Sequence, residues 1–598
     1  MLFNSYIFIF LFLPLTLGGW YLLNRWRRFD MALWFLCAMS LWFYAFFNPS
    51  YLLLILGSIL MNYGFSAVLS LLDARRSRGA AVADTASTAE TSGTVAARDG
   101  SGTAGAAVTN AANVAEISGT AARDGADAAD TDAPAPHRFL LTAGVGLNLA
   151  VFFYFKYFDF FIENINAVFH TNFALRHILL PLGISFFTFQ QLSFLIDRCL
   201  GKAPHYRFID YLSFVTFFPQ LIAGPIVLYE EMMPQFADTG RRRFHAENFS
   251  RGIVLFVLGL AKKVLLADAL AIPANYGFAM TWYMDSLTTI LVVLSYTFEL
   301  YFDFSGYCDM AMGIAEMFNI TLPVNFRAPY RASCIREFWQ RWHITLQRFF
   351  TRYVYIPLGG SRRGTARTML NIMLVFALSG LWHGADWSFI AWGLMHGAAT
   401  IWDGLGIIVP ASAKAPASAP GRESVLLGDS PPKRHGSHSA SGREHRPGRS
   451  PRYYLKGAPF LVIPRPLGTL LTMLFFMLSL IFFRSESLVH AAEMLRSLFR
   501  PRWPGYLYLT AQQFLPPELY VPGKLIEMTA PALVQPAALL RWLLLLGAAG
   551  WIIYTRPDPL QYADRALSDR KSILLLSLLF VWSVVSLSGV STFLYFNF

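Results

Sequence analysis

Two histidines, His383 and His396, sit with Asp386 in the otherwise apolar stretch LSGLWHGADWSFIAWGLMHG (Leu378–Gly397). An imidazole, with an unperturbed pKa of about 6.5, is the side chain best matched to taking a proton from a hydroxyl near neutral pH. Ionisable groups in apolar spans are costly and by default functional. The plainer alternative for His383 is a hydrogen bond between helices. The dipeptides SG and HG around His383 mark a helix break. His396 has glycines at 393 and 397, and a small-residue packing face accounts for it.

A second group lies in SCIREFWQRWHITLQRFFTRYVYIPLGGSRRG (Ser333–Gly364). Read as one helix, Arg341, Thr345, Arg348 and Arg352 share a face. Arg336, Gln340, His343 and Gln347 form a second polar stripe. The segment is either a cationic amphipathic helix on the inner leaflet or the cap of a pocket for an anionic donor. His343 fits the first reading poorly, because it sits on the less basic stripe among aromatics. A third group, YFDFSGYCDMAMG, carries Asp303, Ser305, Tyr307 and Asp309. Asp303 reads as an N-cap, with acids favoured by the helix dipole. Gln190 and Gln191 are polar groups within an apolar segment. Lys262 and Lys263 lie in GLAKKVLLAD, where snorkelling to an interface is the ordinary explanation.

The elements that must position these residues are membrane spans. The 598 residues are 55% hydrophobic and only 14% charged, against roughly a quarter charged in soluble domains. Long apolar runs recur. They predict spans at 3–23, 31–47, 51–72, 139–162, 178–196, 253–269, 287–301, 370–381, 387–402, 467–483, 538–554 and 572–593. The fold class is an all-α polytopic membrane protein. Tyr211–Pro225 is broken by prolines and a glycine and reads as a re-entrant or interfacial segment. The first apolar run has no small-residue cleavage site and reads as a retained span.

Two segments fall outside this pattern. Residues 73–137 are Ala-, Gly-, Ser-, Thr- and Asp-rich, and residues 405–458 are rich in Ser, Pro, Gly and Arg. Neither offers enough apolar surface to offset its ordering entropy, so both are expected to be disordered linkers. The chain thus divides into N-terminal spans at 1–72, a core at 138–404 and C-terminal spans at 459–598. The basic clusters NRWRR, DARRSR, GRRRFH and GGSRRGTAR place these loops and both linkers on the cytoplasmic side. The helix after SRRGTAR then reaches His383 after about 14 residues, roughly 21 Å into a core about 30 Å thick. The net charge of +12 is a topology signal, and no nucleic-acid partner is expected.

Common soluble-enzyme templates are missing: no phosphate-binding GxxxxGK[ST] loop, no GxSxG elbow and no HExxH. The cysteines at 37, 199, 308 and 334 lack metal-ligand spacing, and no metal or bound cofactor is expected. Any chemistry falls to histidine and buried polar groups.

The motifs FDFSGYCDMAMG, NFRAPYRASCIREFWQRWHITL, YIPLGGSRRG, LWHGADWSFIAWGLMHG, FFRSES and FLYFNF together resemble the membrane-bound O-acyltransferase family, in the branch of bacterial alginate O-acetylation proteins. The resemblance covers essentially the whole chain except the two linkers. It implies a bundle of about 11–12 spans around a tunnel that meets an outer funnel, with residues 138–404 as the catalytic core. It also implies that the family's invariant histidine is His383 and its tryptophan–histidine pair is Trp342–His343. His383 and His343 are then the candidate catalytic residues, and Trp382, Trp342, Arg341, Arg348, Asp303 and Asp309 the candidates for substrate contact. The implied activity is O-acetyl transfer from a cytoplasmic acyl thioester, such as acetyl-CoA, to an exported polysaccharide or to an extracytoplasmic acetyltransferase partner. The implied setting is the inner membrane, among lipid and polysaccharide synthase or export machinery. A D-alanyl transfer protein for teichoic acid, or a non-catalytic transporter or scaffold, are the alternatives. The 73–137 segment is not part of the family pattern.

Overall fold

The computed structural model describes residues 1–93, 135–410, 461–502, 506–514, 520–556, 558–588 and 593–594. A π-helical turn at Phe8–Phe12 leads into α1 (Leu13–Arg25), followed by α2 (Phe29–Ala45), α3 (Tyr51–Gly93) and α4 (Ala135–Phe169). Next come α5 (Ile184–Cys199), α6 (Phe208–Thr216), α7 (Phe218–Leu221), α8 (Tyr229–Ala237) and α9 (Ala246–Ala261), which passes through a π-helical turn (Lys262–Ala267) into α10 (Asp268–Ala279). The centre holds α11 (Ser286–Met317), α12 (Ile335–Trp339), α13 (Ile344–Phe350), α14 (Thr365–His383) and α15 (Trp387–Leu405). The last group is α16 (Arg465–Arg484), α17 (Leu488–Ser497), α18 (Leu507–Gln513), α19 (Tyr520–Thr529), α20 (Val534–Thr555), α21 (Pro559–Ala566) and α22 (Arg570–Val585). Two three-residue strands, Ile408–Pro410 and Leu461–Ile463, pair in parallel.

The chain is a multi-pass helical membrane protein. Among the described residues, seven helices are long and apolar enough to cross a bilayer, and Phe29–Ala45 is a shorter apolar one. Each of the twelve predicted spans overlaps a described helix, the other five shorter or more polar ones. The broken segment before Pro225 folds as α6 and α7, wholly buried from Ile209 except for Asp210. Irregular backbone is thereby enclosed by protein, as an apolar surround demands.

Several expectations are corrected. The first linker begins later than residue 73, because α3 continues to Gly93; the stretch beyond Leu72 is alanine-rich and free of proline, so helix propensity carries it on. The linker also ends before residue 137. His137 lies in the first turn of α4, where its Nε2 meets Asp73 Oδ1 at 2.9 Å, and Arg198 Nη2 donates to Asp73 Oδ2 at 2.8 Å. Most of both linkers lies outside the described residues. Asp303 is no N-cap: Asp285 fills that role, accepting from Thr288 N at 3.0 Å, and Asp303 lies deep within the 32-residue α11. Lys262 and Lys263 do not snorkel. Lys263 is buried and Lys262 half-buried against α11, where Lys262 Nζ meets Asp309 Oδ2 at 2.6 Å and Lys263 Nζ meets Asp303 Oδ1 at 2.6 Å and Asp268 Oδ1 at 2.8 Å. A π-helical turn widens the helix locally, and two successive lysines can then both reach one neighbour.

Below these pairs, α9 and α11 touch backbone to backbone. A Cβ on Gly252 would lie 2.5 Å from the Gly313 oxygen, and one on Gly259 2.5 Å from the Gly306 oxygen. Small residues allow such approach where lipid-facing helices have no hydrophobic drive to associate. Gly259→Val should therefore destabilise the protein by about 1–3 kcal/mol, seen as a lower melting temperature in detergent. Gly57→Ala, with nothing within 4 Å of the added carbon, should leave it unchanged.

Candidate active site

α14 starts at Thr365, directly behind the basic loop, and runs 19 residues to His383. At 1.5 Å per residue that is about 28 Å, so the helix is not too short to span, as its apolar run alone suggested. It stops at Gly384, whose backbone is extended, and α15 restarts behind Asp386, which accepts from Ser388 N at 2.7 Å. The two helices form a tight hairpin. A Cβ on Gly380 would stand 2.3 Å from the Phe389 oxygen, and one on Gly393 2.3 Å from that of Phe376.

A helix end buried in protein needs partners for its last carbonyls. Here α4 supplies them. Tyr157 Oη donates to the Leu381 oxygen at 2.9 Å, and Lys156 Nζ donates to the oxygens of Trp382 and, at 3.3 Å, His383. The sequence reading missed Lys156. Its signal was a lone lysine inside the apolar run FFYFKYFDFF.

His343 sits between α12 and α13 with a left-handed backbone, φ 47°. The expected continuous helix is thus broken here. Asn325 holds the bend: its Oδ1 accepts from Thr345 N (3.2 Å) and Thr345 Oγ1 (3.0 Å), and its backbone oxygen accepts from Ile344 N (3.0 Å). His343 Nδ1 lies 3.2 Å from the same Oδ1. That oxygen accepts, so Nδ1 carries the proton and Nε2 is the basic nitrogen. Burial lowers the His343 pKa to about 3, and the ring is neutral at pH 7. Asn325, also unnoticed in the sequence, is fully buried.

The two imidazoles flank one indole. Trp382 stands 6.0 Å from His343 and 4.9 Å from His383, ring centre to ring centre. His343 also packs on Phe304 of α11 at 4.9 Å, and His383 on Trp392 and Phe483 at 5.1 and 5.2 Å. His343, His383 and Trp342 line a narrow cavity of about 40 Å³ with Arg336, Gln347 and Ser379. His383 also lines a second narrow cavity, again of about 40 Å³, with Trp382, Lys156 and the 180–186 segment. One histidine thus borders two cavities. Arg336, His343 and Gln347 do share a lining, as the second polar stripe predicted, whereas Gln340 of that stripe is exposed.

The other candidates lie elsewhere. Arg341 pairs with Glu337 at 2.6 Å and Arg348 with Glu231, its Nη2 donating to Oε2 at 2.8 Å; neither lines the two histidine cavities. Thr345 is buried against Asn325 and Ile226, and Arg348 reaches the same Ile226, its Nη2 donating to the backbone oxygen at 3.1 Å. Asp303 and Asp309 hold Lys263 and Lys262 on α11. His396 borders neither histidine cavity. Its Nε2 meets Ser479 Oγ at 2.9 Å, and Trp339, Trp392 and Phe475 surround it at 4.8–5.1 Å.

Residues 199–402, which include both cavity histidines, match the model of the membrane-bound O-acyltransferase family. A peptidoglycan O-acetyltransferase of Helicobacter pylori is 38% identical over 67% of this chain and 69% of its own length. The chain belongs to the membrane-bound O-acyltransferase family. A probable alginate O-acetylase of Pseudomonas putida is 36% identical over 66% of this chain and 69% of its own. A teichoic acid D-alanyltransferase of Streptococcus thermophilus is 28% identical over 36% of this chain and 55% of its own. The protein is an acyltransferase enzyme.

Two substitutions separate packing from positioning. His396→Ala should cost about 2–3 kcal/mol of stability through the void it leaves among aromatic rings, with acyl transfer retained at permissive temperature. Lys156→Met should lower kcat for acyl transfer by about tenfold or more, with little change in KM, because the end of α14 loses its anchor. Equal loss from both substitutions, tracking the melting temperature alone, would make Lys156 a stability residue only.

Proposed function

We propose that the protein moves an acetyl group from an acyl thioester, acetyl-CoA by preference, on the cytoplasmic side to a hydroxyl on the outer side of the inner membrane. The final acceptor is an exported glycan, reached directly or through an extracytoplasmic acetyltransferase. The observation that carries this reading is His383 bordering both cavities at the end of α14. A donor held in one cavity and an acceptor in the other meet at a single imidazole.

In the proposed reaction His383 takes the proton of the acceptor hydroxyl as its oxygen attacks the thioester carbonyl. A tetrahedral oxyanion forms and collapses with cleavage of the carbon–sulfur bond. The thiolate leaves and takes up the proton, so the neutral histidine is restored. The enclosed site strengthens oriented donors around the oxyanion. Trp382 and Trp342 would confine the reactants, and His343, fixed by Asn325, would orient them or stabilise charge. Arg341 and Arg348, with the basic loops, would attract an anionic donor toward the bundle.

The relatives support a glycan acceptor. Two carry names that specify O-acetylation, of peptidoglycan and of alginate. The D-alanyl reading has the support of the lower-identity match to a teichoic acid D-alanyltransferase. Purified protein in liposomes, supplied with labelled acetyl-CoA or with a D-alanyl carrier protein, separates the two readings. His383→Ala should lower kcat by about 100-fold or more while the protein still folds and inserts. His383→Gln should not rescue it, since an amide hydrogen-bonds but takes no proton near pH 7. An active His383→Gln enzyme would overturn the base assignment and move it to His343. Undiminished transfer in His383→Ala would overturn the mechanism.

A further inference from the structure

A cavity larger than either one that the histidines line lies elsewhere in the bundle. This cavity of about 1060 Å³ lies between the π-helical turn with α10 and α11 on one side and α20 and α22 on the other. Its walls are mainly large apolar side chains, among them Leu265, Leu266, Leu545 and Leu579. Leu544 and Trp582 line it and are 63% and 52% exposed. These residues belong to apolar helices, so the cavity opens sideways toward the bilayer interior.

Its charges do not balance. Four cations line it, Lys262, Arg331, Arg541 and Arg556, against three carboxylates, Asp268, Asp309 and Asp558. The carboxylates are engaged: Asp309 by Lys262, Asp268 by Lys263, and Asp558 by the Leu560 N–H. Arg331 donates to the backbone oxygens of Ile553 and Arg556, and Arg556 stacks on Trp551 at 4.3 Å. Arg541 is different. It lies inside the apolar run AALLRWLLLLG of α20, its Nε is buried without a hydrogen bond, and among the described residues it forms no ion pair. An arginine within a span without a counter-charge is costly. It calls for an anion, and its planar fork suits a phosphate.

We infer that this cavity is a binding site for an anionic glycerophospholipid, its phosphate held by Arg541 and its acyl chains lying along Leu544, Leu545 and Trp551. Arg541 lies seven residues into α20, about 10 Å below the helix end, where one leaflet's phosphate can meet it by a modest dip. From Arg541 the wall runs on for about 21 Å to Thr555, a depth that suits acyl chains. The walls favour a lipid over a partner helix. Seats for helices are built from continuous faces of small residues, whereas the alanines of this lining, such as Ala261, Ala269 and Ala548, alternate with Leu258, Leu265, Leu544 and Leu545. α11 separates this cavity from the histidines, with Phe304 packed on His343 and the adjacent Ser305 lining the lipid site.

Native mass spectrometry of the full-length protein in detergent, titrated with dioleoyl phosphatidylglycerol or dioleoyl phosphatidylcholine, tests the site. Phosphatidylglycerol should bind the wild type more tightly than phosphatidylcholine. Arg541→Gln should weaken phosphatidylglycerol by about tenfold, the factor that a charge-assisted hydrogen bond is worth, and remove the preference. Ala548→Trp, which fills the lining but keeps the arginine, should weaken both lipids, and it decides the matter if Arg541→Gln does not fold. Equal binding of the two lipids by the wild type, undiminished phosphatidylglycerol binding in either variant, or a stoichiometric polypeptide retained in place of lipid would overturn the assignment. The readout is lipid binding, so it stands or falls apart from the acyl-transfer mechanism.

Discussion

A charge taken out of water must be matched where it lies. In this protein that requirement falls on α11, with Asp303 and Asp309 facing Lys263 and Lys262 across the junction of α9 and α10. Lys263 and Asp303 each have a side chain only 2% exposed. Removing one partner from such a pair typically costs about 3–5 kcal/mol, because it strands the other. The facing glycines below bring the helices close enough for the pairs to form. Asp303 also accepts from the Leu594 N–H at 3.0 Å, and the Phe593 ring packs on Tyr307 at 4.5 Å. The last described residues are thereby tied to the same helix. With α11 held, Phe304 is fixed beside His343, and one wall of the candidate site depends on charges that do not touch it.

The site itself is made where helices stop. His383 is the last residue of α14, and His343 occupies a left-handed bend between two short helices. Each break leaves backbone groups that buried surroundings must satisfy. Tyr157 and Lys156 satisfy the first, and Asn325 with Thr345 the second. The same bonds orient the rings. His396 shows what the alternative looks like. It lies within the continuous α15, filled around by tryptophan and phenylalanine, with a serine for its nitrogen. The two residues are chemically identical, and only one borders the two cavities.

Composition, apolar runs and local motifs by themselves determined that the chain is a helical membrane protein of the O-acyltransferase family, and they singled out His383 and His343. Those signals are local: an apolar run long enough to span, a glycine-marked break and a motif are complete within a few turns of chain. Tertiary structure alone decided the rest. The lysines of GLAKKVLLAD looked like interface residues, because nothing nearby in the sequence offers the acids of α11 that neutralise them. Asp303 looked like a cap because polar residues cluster there in the sequence, while the helix starts at Ser286 behind Asp285. Lys156 went unread because its acceptors lie 226 residues or more along the chain. Asn325 holds a histidine 18 residues away only because the chain turns back on itself between them. Hydrogen bonds and ion pairs act over about 3–4 Å in space, whatever the separation in sequence, so the partners of each buried polar group become visible only when the helices are packed.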